Sequence, residues 1–281
     1  ARQVKQAAEL IQKAERPLLY AGGGIVTSHA CAELTELAER MQIPVVTTLM
    51  GKGAMRCSNP LNLGPVGMHG SKYANMAVTE CDLLIAVGAR FSDRVTGKVS
   101  EFAPHAKVIH IDIDPAEIGK IINPVVPIVG DAKGVLAAIN ERLAKADAQP
   151  IDRAWVEDVF SWRKRWPFYT SDFSDYPNAI APEVVLHKLS QKLDPEASIV
   201  TTEVMATAKI NDVPVKVLII DNRALGMVHQ WQSLFYNKRY SFTELADNPD
   251  FVKLADAYGW RARRVEKPED VDAALDEMLA S

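Results

Sequence analysis

The sequence predicts an α/β protein with two open parallel-sheet domains and helices on both faces of each sheet. Short apolar runs alternate with longer segments of helical period, which is typical of parallel sheets covered by helices. The length of 281 residues suits two domains. A polar, proline-containing segment at 145–153 interrupts the alternation, as linkers do. We therefore predict a first domain over residues 1–147, a helical connection over 148–180 and a second domain over 181–281.

Five strands are predicted in the first domain, each a short apolar run bounded by turn residues. One helix follows Ser28 and another follows Asp131, a residue type that commonly caps helices. Both helices have apolar residues at helical spacing: Ala30, Leu34, Leu37 and Met41 in one, and Val135, Leu136, Ile139 and Leu143 in the other. The predicted strands are Pro17–Ala21, Val45–Leu49, Asp82–Ala89, Lys107–Asp114 and Pro127–Gly130.

The second part of the chain opens with a tryptophan-rich helical stretch, Trp155–Trp166. Three further helices are predicted to start at prolines, where the missing amide hydrogen costs nothing. These prolines are Pro182, Pro249 and Pro268, and the predicted strands of this part are Ser198–Val204, Val215–Ile220 and Trp260–Val265.

Composition restricts the classes of partner. With 32 basic and 36 acidic side chains, the net charge of -4 gives no electrostatic reason to expect nucleic acid or an anionic membrane, so a small ligand is the better expectation. The three cysteines form no CxxC pair, which disfavours a disulfide scaffold or a structural zinc site. No apolar run reaches the roughly 20 residues of a spanning helix, and no signal-peptide core follows Ala1. We expect a cytoplasmic protein.

Three consecutive glycines, Gly22, Gly23 and Gly24, directly follow the first predicted strand. At this place in an open α/β fold, the backbone can approach a phosphate or a ring without an intervening Cβ. A tight strand-to-helix turn is an equally good explanation. The spacing is not GxGxxG, so a nicotinamide fingerprint is not supported.

The turns after the other strands carry glycines and polar side chains at the sheet edge where ligands bind in such folds. Arg90 and Arg94 could neutralise a pyrophosphate, and Asp112 or Asp131 could accept hydrogen bonds from ribose or adenine. The alternative for Asp112 is a role in a turn or a helix cap, and for His69 it is loop packing. An adenine dinucleotide fits the set, which also includes Thr48, Leu49, Met68, Gly70, Gly88, Ala89, Ile113 and Gly130.

Two pairs of segments resemble one enzyme family. GMHGSKYANMAVTECDLLIAVGARFSDRVTGK (67–98) and HIDIDPAEIGK (110–120) are similar to the central domain of acetohydroxyacid synthase, also called acetolactate synthase. VKVLIIDNRALGMVHQWQSLFYNKRYS (215–241) and NPDFVKLADAYG (248–259) resemble the thiamine-diphosphate domain of the same catalytic subunit. The resemblance runs from about Val4 to the end of the chain.

The resemblance implies a Rossmann-like central domain that holds FAD at the turn residues named above. It also implies a Mg²⁺ ion that anchors thiamine diphosphate, with Asn222 and the carbonyl of Ala224 as ligands. Met227 would support the bent cofactor, and Trp231, beside Val228, would shape the pocket for the second 2-keto acid. Without the resemblance, a buried helix face would be the preferred interpretation of these three side chains.

The implied reaction is carboligation in branched-chain amino-acid biosynthesis. Pyruvate is decarboxylated on thiamine diphosphate, and the hydroxyethyl carbanion adds to pyruvate or 2-ketobutyrate. In this family FAD has no net redox role, so a flavin fold does not imply an oxidoreductase. The family also implies a homodimer or homotetramer and, in addition, a small regulatory subunit.

The sequence departs from the family pattern in several places. Ser92 and Asp221 replace an aspartate and an asparagine. The glycine-rich GDGS segment, whose aspartate binds Mg²⁺, is absent between Val204 and Met205, which interrupts the second domain. The pyrimidine-binding domain with its activating glutamate and a closing C-terminal tail also have no counterpart. We therefore expect the chain alone to bind FAD weakly and to be inactive.

Two other interpretations remain open. One is another thiamine-diphosphate enzyme with this middle domain, such as pyruvate oxidase, glyoxylate carboligase or oxalyl-CoA decarboxylase, against which Trp231 argues. The other is a non-catalytic flavin-binding fragment. Acetolactate formation from pyruvate distinguishes the synthase from both.

Overall fold

The computed structural model describes residues 2–167, 180–193, 215–245 and 247–280. The chain forms two compact units, Ala1–Phe168 and Tyr169–Ser281. The predicted boundaries at residues 147 and 180 stay predictions.

The first unit is built on a six-stranded sheet in the order β3-β2-β1-β4-β5-β6. Every pairing is parallel, so all strands end at the same edge, which we call the carboxyl edge. Strand order reverses between β1 and β4, where such sheets open a crevice for ligands. The strands are β1 (Pro17–Ala21), β2 (Val45–Thr47), β3 (Asn62–Pro65), β4 (Leu83–Val87), β5 (Lys107–Asp112) and β6 (Val126–Val129).

Helices cover both faces of this sheet, as predicted. Alternate side chains of each strand enter different apolar clusters: Leu19 belongs to one cluster and its neighbour Tyr20 to the other. The helices are α1 (Arg2–Lys13), α2 (Gly23–Thr27), α3 (Cys31–Met41), α4 (Lys72–Glu80), α5 (Asp93–Thr96), α6 (Ala132–Lys145) and α7 (Arg153–Arg165), with a 3₁₀ turn at Val99–Glu101.

The five predicted strands of the first unit are confirmed, although most are shorter than predicted or displaced by one residue. Strand β3 was not predicted, because its four residues NLGP contain glycine and proline and lack the usual strand pattern. The helix predicted after Ser28 begins only at Cys31, since Ser28 ends the preceding short helix α2. Asp131 caps α6 as predicted, accepting a hydrogen bond from the Gly134 amide at 3.2 Å.

The tryptophan-rich helix α7 packs against the first unit, so our expectation that it opens the second part of the chain is wrong. Trp155 is buried, and its indole Nε1–H donates to the carbonyl of Pro17 at 3.0 Å. Val156 and Val159 are buried in the two clusters of the first unit. The polar segment at 145–153 is therefore a connection between α6 and α7 within the first unit.

The second unit contains the helices α8 (Pro182–Lys192), α9 (Gly226–Phe235), α10 (Phe251–Ala257) and α11 (Val271–Ala280), with a 3₁₀ turn at Pro268–Asp270. Helices α8 and α11 share a small apolar core of Val185, Leu189, Val271 and Leu275. Two ion pairs, Lys188 with Asp272 and Lys192 with Asp276, flank it.

The second sheet that we predicted is not seen in the described part of this unit. Residues 215–220 and 260–265 are described without strand pairing, and the apolar side chains of 217–220 are between 37% and 43% exposed. A strand needs a hydrogen-bonded neighbour, and the predicted strand Ser198–Val204 lies outside the described residues.

In the described parts of the chain, we find no helix with the length and apolar character needed to cross a bilayer.

Candidate functional site

The carboxyl edge of the first sheet brings the predicted cofactor residues together, because each group follows the end of one of the six parallel strands. Strand β1 leads to Gly22, Gly23 and Gly24, β2 to Thr48 and Leu49, and β3 to Met68, His69 and Gly70; strand β4 leads to Gly88, Ala89, Arg90 and Arg94, β5 to Asp112 and Ile113, and β6 to Gly130 and Asp131.

The turns after β1 and β4 touch at the point where strand order reverses. The amide of Gly22 donates to Val87 O at 2.9 Å, and that of Gly24 donates to Gly88 O at 3.0 Å. A Cβ on Gly22 would lie 2.0 Å from the Gly88 oxygen. These glycines are therefore needed for the tight packing of two turns, and their contact with a ligand stays a prediction.

The loop after β3 is bonded to Arg94. The Met68 amide donates to the Arg94 carbonyl at 3.0 Å, and His69 is exposed rather than packed. Asn75, on α4, accepts from the Gly67 amide at 2.8 Å and donates to the Gly67 carbonyl at 3.0 Å. This positioning role of Asn75 was not predicted, since an asparagine inside a helical pattern gives no specific signal.

The two aspartates at this edge already have structural partners. Asp112 Oδ1 accepts from the Asp114 amide at 2.9 Å in a turn, and Asp131 caps α6. The turn and cap roles that we considered as alternatives are therefore real. A carboxylate has about four acceptor positions, so these contacts leave room for a further hydrogen bond.

The same edge exposes large apolar side chains. Leu49 is 80% exposed and Ile113 is 71% exposed, with Met50 and Met68 similarly uncovered. Arg90 is also exposed. Apolar side chains next to glycine turns and a cation are suited to a ligand that combines a flat ring system with a charged group.

Two buried side chains beneath the turn after β4 were not identified from the sequence. His110, on β5, lies 3.2 Å from the Ala89 carbonyl through Nε2, and Tyr20 Oη on β1 donates to the Arg90 carbonyl at 3.2 Å. Burial lowers the pKa of His110, partly opposed by its hydrogen bond to Ala89 and by nearby carboxylates. The ring is therefore neutral, with Nε2–H as the donor.

This lowered pKa predicts an acid-dependent loss of stability. Above pH of about 6.5 the ring is neutral in both states, whereas below it the unfolded chain binds a proton that the folded chain does not. His110→Phe has no group that titrates at this position. As pH falls from 7 to 5, the free energy of unfolding of the wild type should therefore decrease relative to that of the variant, by at most about 1.4 kcal/mol per pH unit. Urea unfolding of both proteins at several pH values measures this difference. The same pH dependence of the unfolding free energy in both proteins would contradict the prediction.

In the second unit, the predicted metal ligands lie in a turn directly before α9. Asn222 Oδ1 accepts from the Ala224 amide at 3.1 Å, and an amide oxygen can accept a second interaction. Asp221, one of the departures from the family pattern, accepts from Asn248 Nδ2 at 2.8 Å. The described residues bring no three His, Cys, Asp or Glu side chains together.

Met227, Val228 and Trp231 lie on α9, and none of them is buried. Met227 is 54% exposed and Val228 is 46% exposed, so the alternative of a buried helix face is wrong for this structure. Met227 and Trp231 are four residues apart, which places them on the same side of the helix.

Gln232 fastens the segment 241–245 to α9, and backbone bonds join the same segment to the turn that precedes the helix. Its side chain donates to Ser241 O at 3.0 Å and accepts from the Ser241 amide at 3.1 Å. The amide of Leu225 donates to the carbonyl of buried Thr243 at 2.8 Å, and Ala224 pairs with Glu244. The position of the Ala224 backbone therefore depends on this segment.

We expect Gln232→Ala to release the segment, because both side-chain bonds to Ser241 are lost. Hydrogen exchange at the Leu225 and Leu245 amides should accelerate about tenfold. Gln230→Ala is the matched control, since Gln230 is exposed on the same helix. Equal exchange in the two variants would contradict the assigned role.

Comparison with known families gives two matches in this chain. Residues 4–139 match the family described as "Thiamine pyrophosphate enzyme, central domain". Residues 197–281 match "Thiamine pyrophosphate enzyme, C-terminal TPP binding domain".

Three curated relatives each align with 99% of the chain. It is 40% identical to the "Probable acetolactate synthase large subunit" of Methanocaldococcus jannaschii, of which the match covers 58%. It is 37% identical to the "Acetolactate synthase isozyme 2 large subunit" of Escherichia coli, with 60% covered. It is 40% identical to the "Acetolactate synthase large subunit IlvB1" of Mycobacterium tuberculosis, with 56% covered. The chain thus spans less than two thirds of the length of these relatives.

The three alignments are longer than the chain. They run over 348, 342 and 346 positions, whereas the chain has 281 residues. Each relative therefore carries internal residues that have no counterpart here.

Proposed function

We propose, because the chain belongs to the thiamine pyrophosphate enzyme family, that it is part of an acetolactate synthase catalytic subunit. The proposal rests on the Asn222–Trp231 segment. Its turn offers two oxygen atoms that could bind a metal ion, Asn222 Oδ1 and the Ala224 carbonyl, and it leads into a helix without buried residues. The reaction would join the two-carbon unit of pyruvate to a second 2-keto acid. The relatives named as acetolactate synthases support this substrate class.

The carboxyl edge fits FAD. Its glycines let two turns pack closely where strand order reverses, its exposed apolar side chains suit a ring system, and Arg90 suits a pyrophosphate. We assign the turn residues of β1 to β6 to this cofactor and give it no net redox role. Its contribution would be structural.

Asn222 and the Ala224 carbonyl would supply part of the Mg²⁺ shell, since both are hard oxygen donors. Thiamine diphosphate, when bound, supplies the electron sink for decarboxylation and carbon–carbon bond formation. Met227 and Trp231 would contact the cofactor and the second 2-keto acid from one side of α9. Val228 lies next to Met227 on the exposed surface of the helix.

A homo-oligomer and a small regulatory subunit are the partners that we propose. Three of the relatives bear the name "large subunit", which supports a separate small subunit. A cytoplasmic location follows as part of the same proposal.

We further propose that the chain alone is inactive, because a GDGS-type Mg²⁺ ligand is missing between Val204 and Met205. The longer alignments support a missing internal segment. The test is an assay with pyruvate, thiamine diphosphate, Mg²⁺ and FAD, using protein verified by mass as the 281-residue chain. We expect no acetolactate and weak FAD binding.

The assay also separates the alternatives. Acetolactate formation would overturn the claim of inactivity but support the synthase assignment. Flavin bleaching coupled to substrate turnover would replace that assignment with an oxidase or a flavin carrier. A chain with the missing segment restored from the Escherichia coli relative should gain Mg²⁺-dependent thiamine diphosphate binding, and Asn222→Ala should abolish the gain.

A further inference from the structure

Two buried polar side chains hold successive carbonyl groups of the turn after β4. His110 Nε2 bonds the carbonyl of Ala89, and Tyr20 Oη bonds the carbonyl of Arg90. Both side chains are almost fully buried, with exposures of 1% and 0%. They approach from the strands on the two sides of β4, since β4 pairs with β1 and with β5.

These contacts determine the direction of two peptide groups. No cis peptide bond occurs in the described residues, and in a trans peptide the N–H points opposite to the C=O. Because the carbonyls of Ala89 and Arg90 point to His110 and Tyr20, the amides of Arg90 and Phe91 point the other way. Within the described parts of the chain, neither of these amides donates a hydrogen bond.

An aromatic cluster makes this arrangement rigid. The Phe91 ring lies with its centroid 5.7 Å from that of Tyr20 and 5.0 Å from that of His110, and Phe102 packs 5.9 Å from Phe91. The turn thus has packed side chains beneath it, and its two amides without an acceptor point away from them. The Arg90 side chain in the same turn is exposed.

Packing alone does not explain why a histidine occupies position 110. Its Nδ1 is buried without a hydrogen-bond partner, which is a costly state for a polar atom. Phenylalanine would fill the same place against Phe91 without that cost. The hydrogen bond to the Ala89 carbonyl is what phenylalanine could not provide.

We propose that Tyr20 and His110 are positioning residues that aim the amides of Arg90 and Phe91 at the diphosphate group of the bound dinucleotide. The inference rests on the proposed function, because it takes FAD as the ligand of the carboxyl edge. Outward amide pairs next to an arginine are suited to binding phosphate oxygens.

The test uses Tyr20→Phe and His110→Phe in the 281-residue chain, with FAD as the titrated probe. Each substitution keeps the ring and removes one hydrogen bond to a carbonyl. Asn140→Leu is the matched control, since Asn140 is likewise buried, donates to one backbone carbonyl, that of Glu33 at 3.0 Å, and has an unpartnered Oδ1. Asn140 lies nine positions after the Asp131 cap, about 13 Å along α6 from the carboxyl edge.

We expect FAD to bind about tenfold more weakly to each edge variant and unchanged to Asn140→Leu, because one positioning hydrogen bond is lost. The conservative His110→Gln, which restores an N–H donor, should recover part of the affinity. Amide exchange at Arg90 and Phe91, measured without ligand, should accelerate in the edge variants only.

Unchanged FAD affinity in Tyr20→Phe and His110→Phe would overturn the inference while leaving the proposed function intact. A wild-type chain that does not bind FAD would instead overturn the proposed cofactor. In that case the exchange measurement decides whether Tyr20 and His110 direct the turn: equal exchange in edge and control variants would overturn their positioning role.

Discussion

Replacing Gly22 with alanine is expected to destabilise the first unit by about 3 kcal/mol or more. The new Cβ would lie 2.0 Å from the Gly88 oxygen and 2.5 Å from the Ala89 Cα. Both atoms belong to backbone, so no side chain can rotate away. One of the two turns at the strand-order reversal must move, which also separates the candidate ligand groups.

Hydrogen exchange of the β1 and β4 amides measures this loss in the first unit alone. Gly134→Ala is the matched control, because Gly134 lies inside α6 and a Cβ there has no neighbour within 4 Å. Because alanine has the higher helix propensity, this change in the first turn of α6 should stabilise the protein by up to about 1 kcal/mol. Similar effects of the two alanines would show that the turns adjust without strain.

The second large effect is expected from Trp155→Ala, at about 3–5 kcal/mol of destabilisation in the first unit. The substitution removes a buried indole, its hydrogen bond to the Pro17 carbonyl at 3.0 Å and its edge contact with Trp162 at 5.8 Å. It leaves a cavity at the start of β1, where α7 covers the sheet.

Exchange of β1 and α7 amides, followed together, checks this prediction. Arg153→Ala serves as the control, since the Arg153 side chain on the same helix is 88% exposed and should matter by less than about 0.5 kcal/mol. If Trp155→Ala left β1 protected, α7 would not be an integral part of the first unit.

Local sequence pattern predicted most of the first sheet, because burial on both faces leaves runs such as LLIAV in β4 apolar throughout. It failed at NLGP of β3, where pairing with β2 makes a strand from residues with little strand preference. It also failed at α7, since a polar linker pattern carries no information about what the following helix covers. For a related reason, helical spacing alone could not decide whether Met227 lies on a buried or an exposed side of its helix, because it does not say whether a neighbour covers that side.

The carboxyl-edge positions could be identified in advance because turns after parallel strands share one edge whatever the strand order. The side chains that hold these turns in place could not be identified in advance. Asn75 lies on a helix, and Tyr20 and His110 read as ordinary strand residues until the fold places them under the turn at Ala89 and Arg90.

The sequence by itself determined the class of fold, the positions of the turns at the strand ends and the family resemblance of the Asn222–Trp231 segment. These depend on hydrophobic period and short motifs, which are local properties. Only the tertiary structure decided which turns touch, which glycines separate them and which buried donors hold their carbonyls. Tyr20 and His110 are 90 positions apart in the chain, and they meet at one turn because strands β1 and β5 both flank β4.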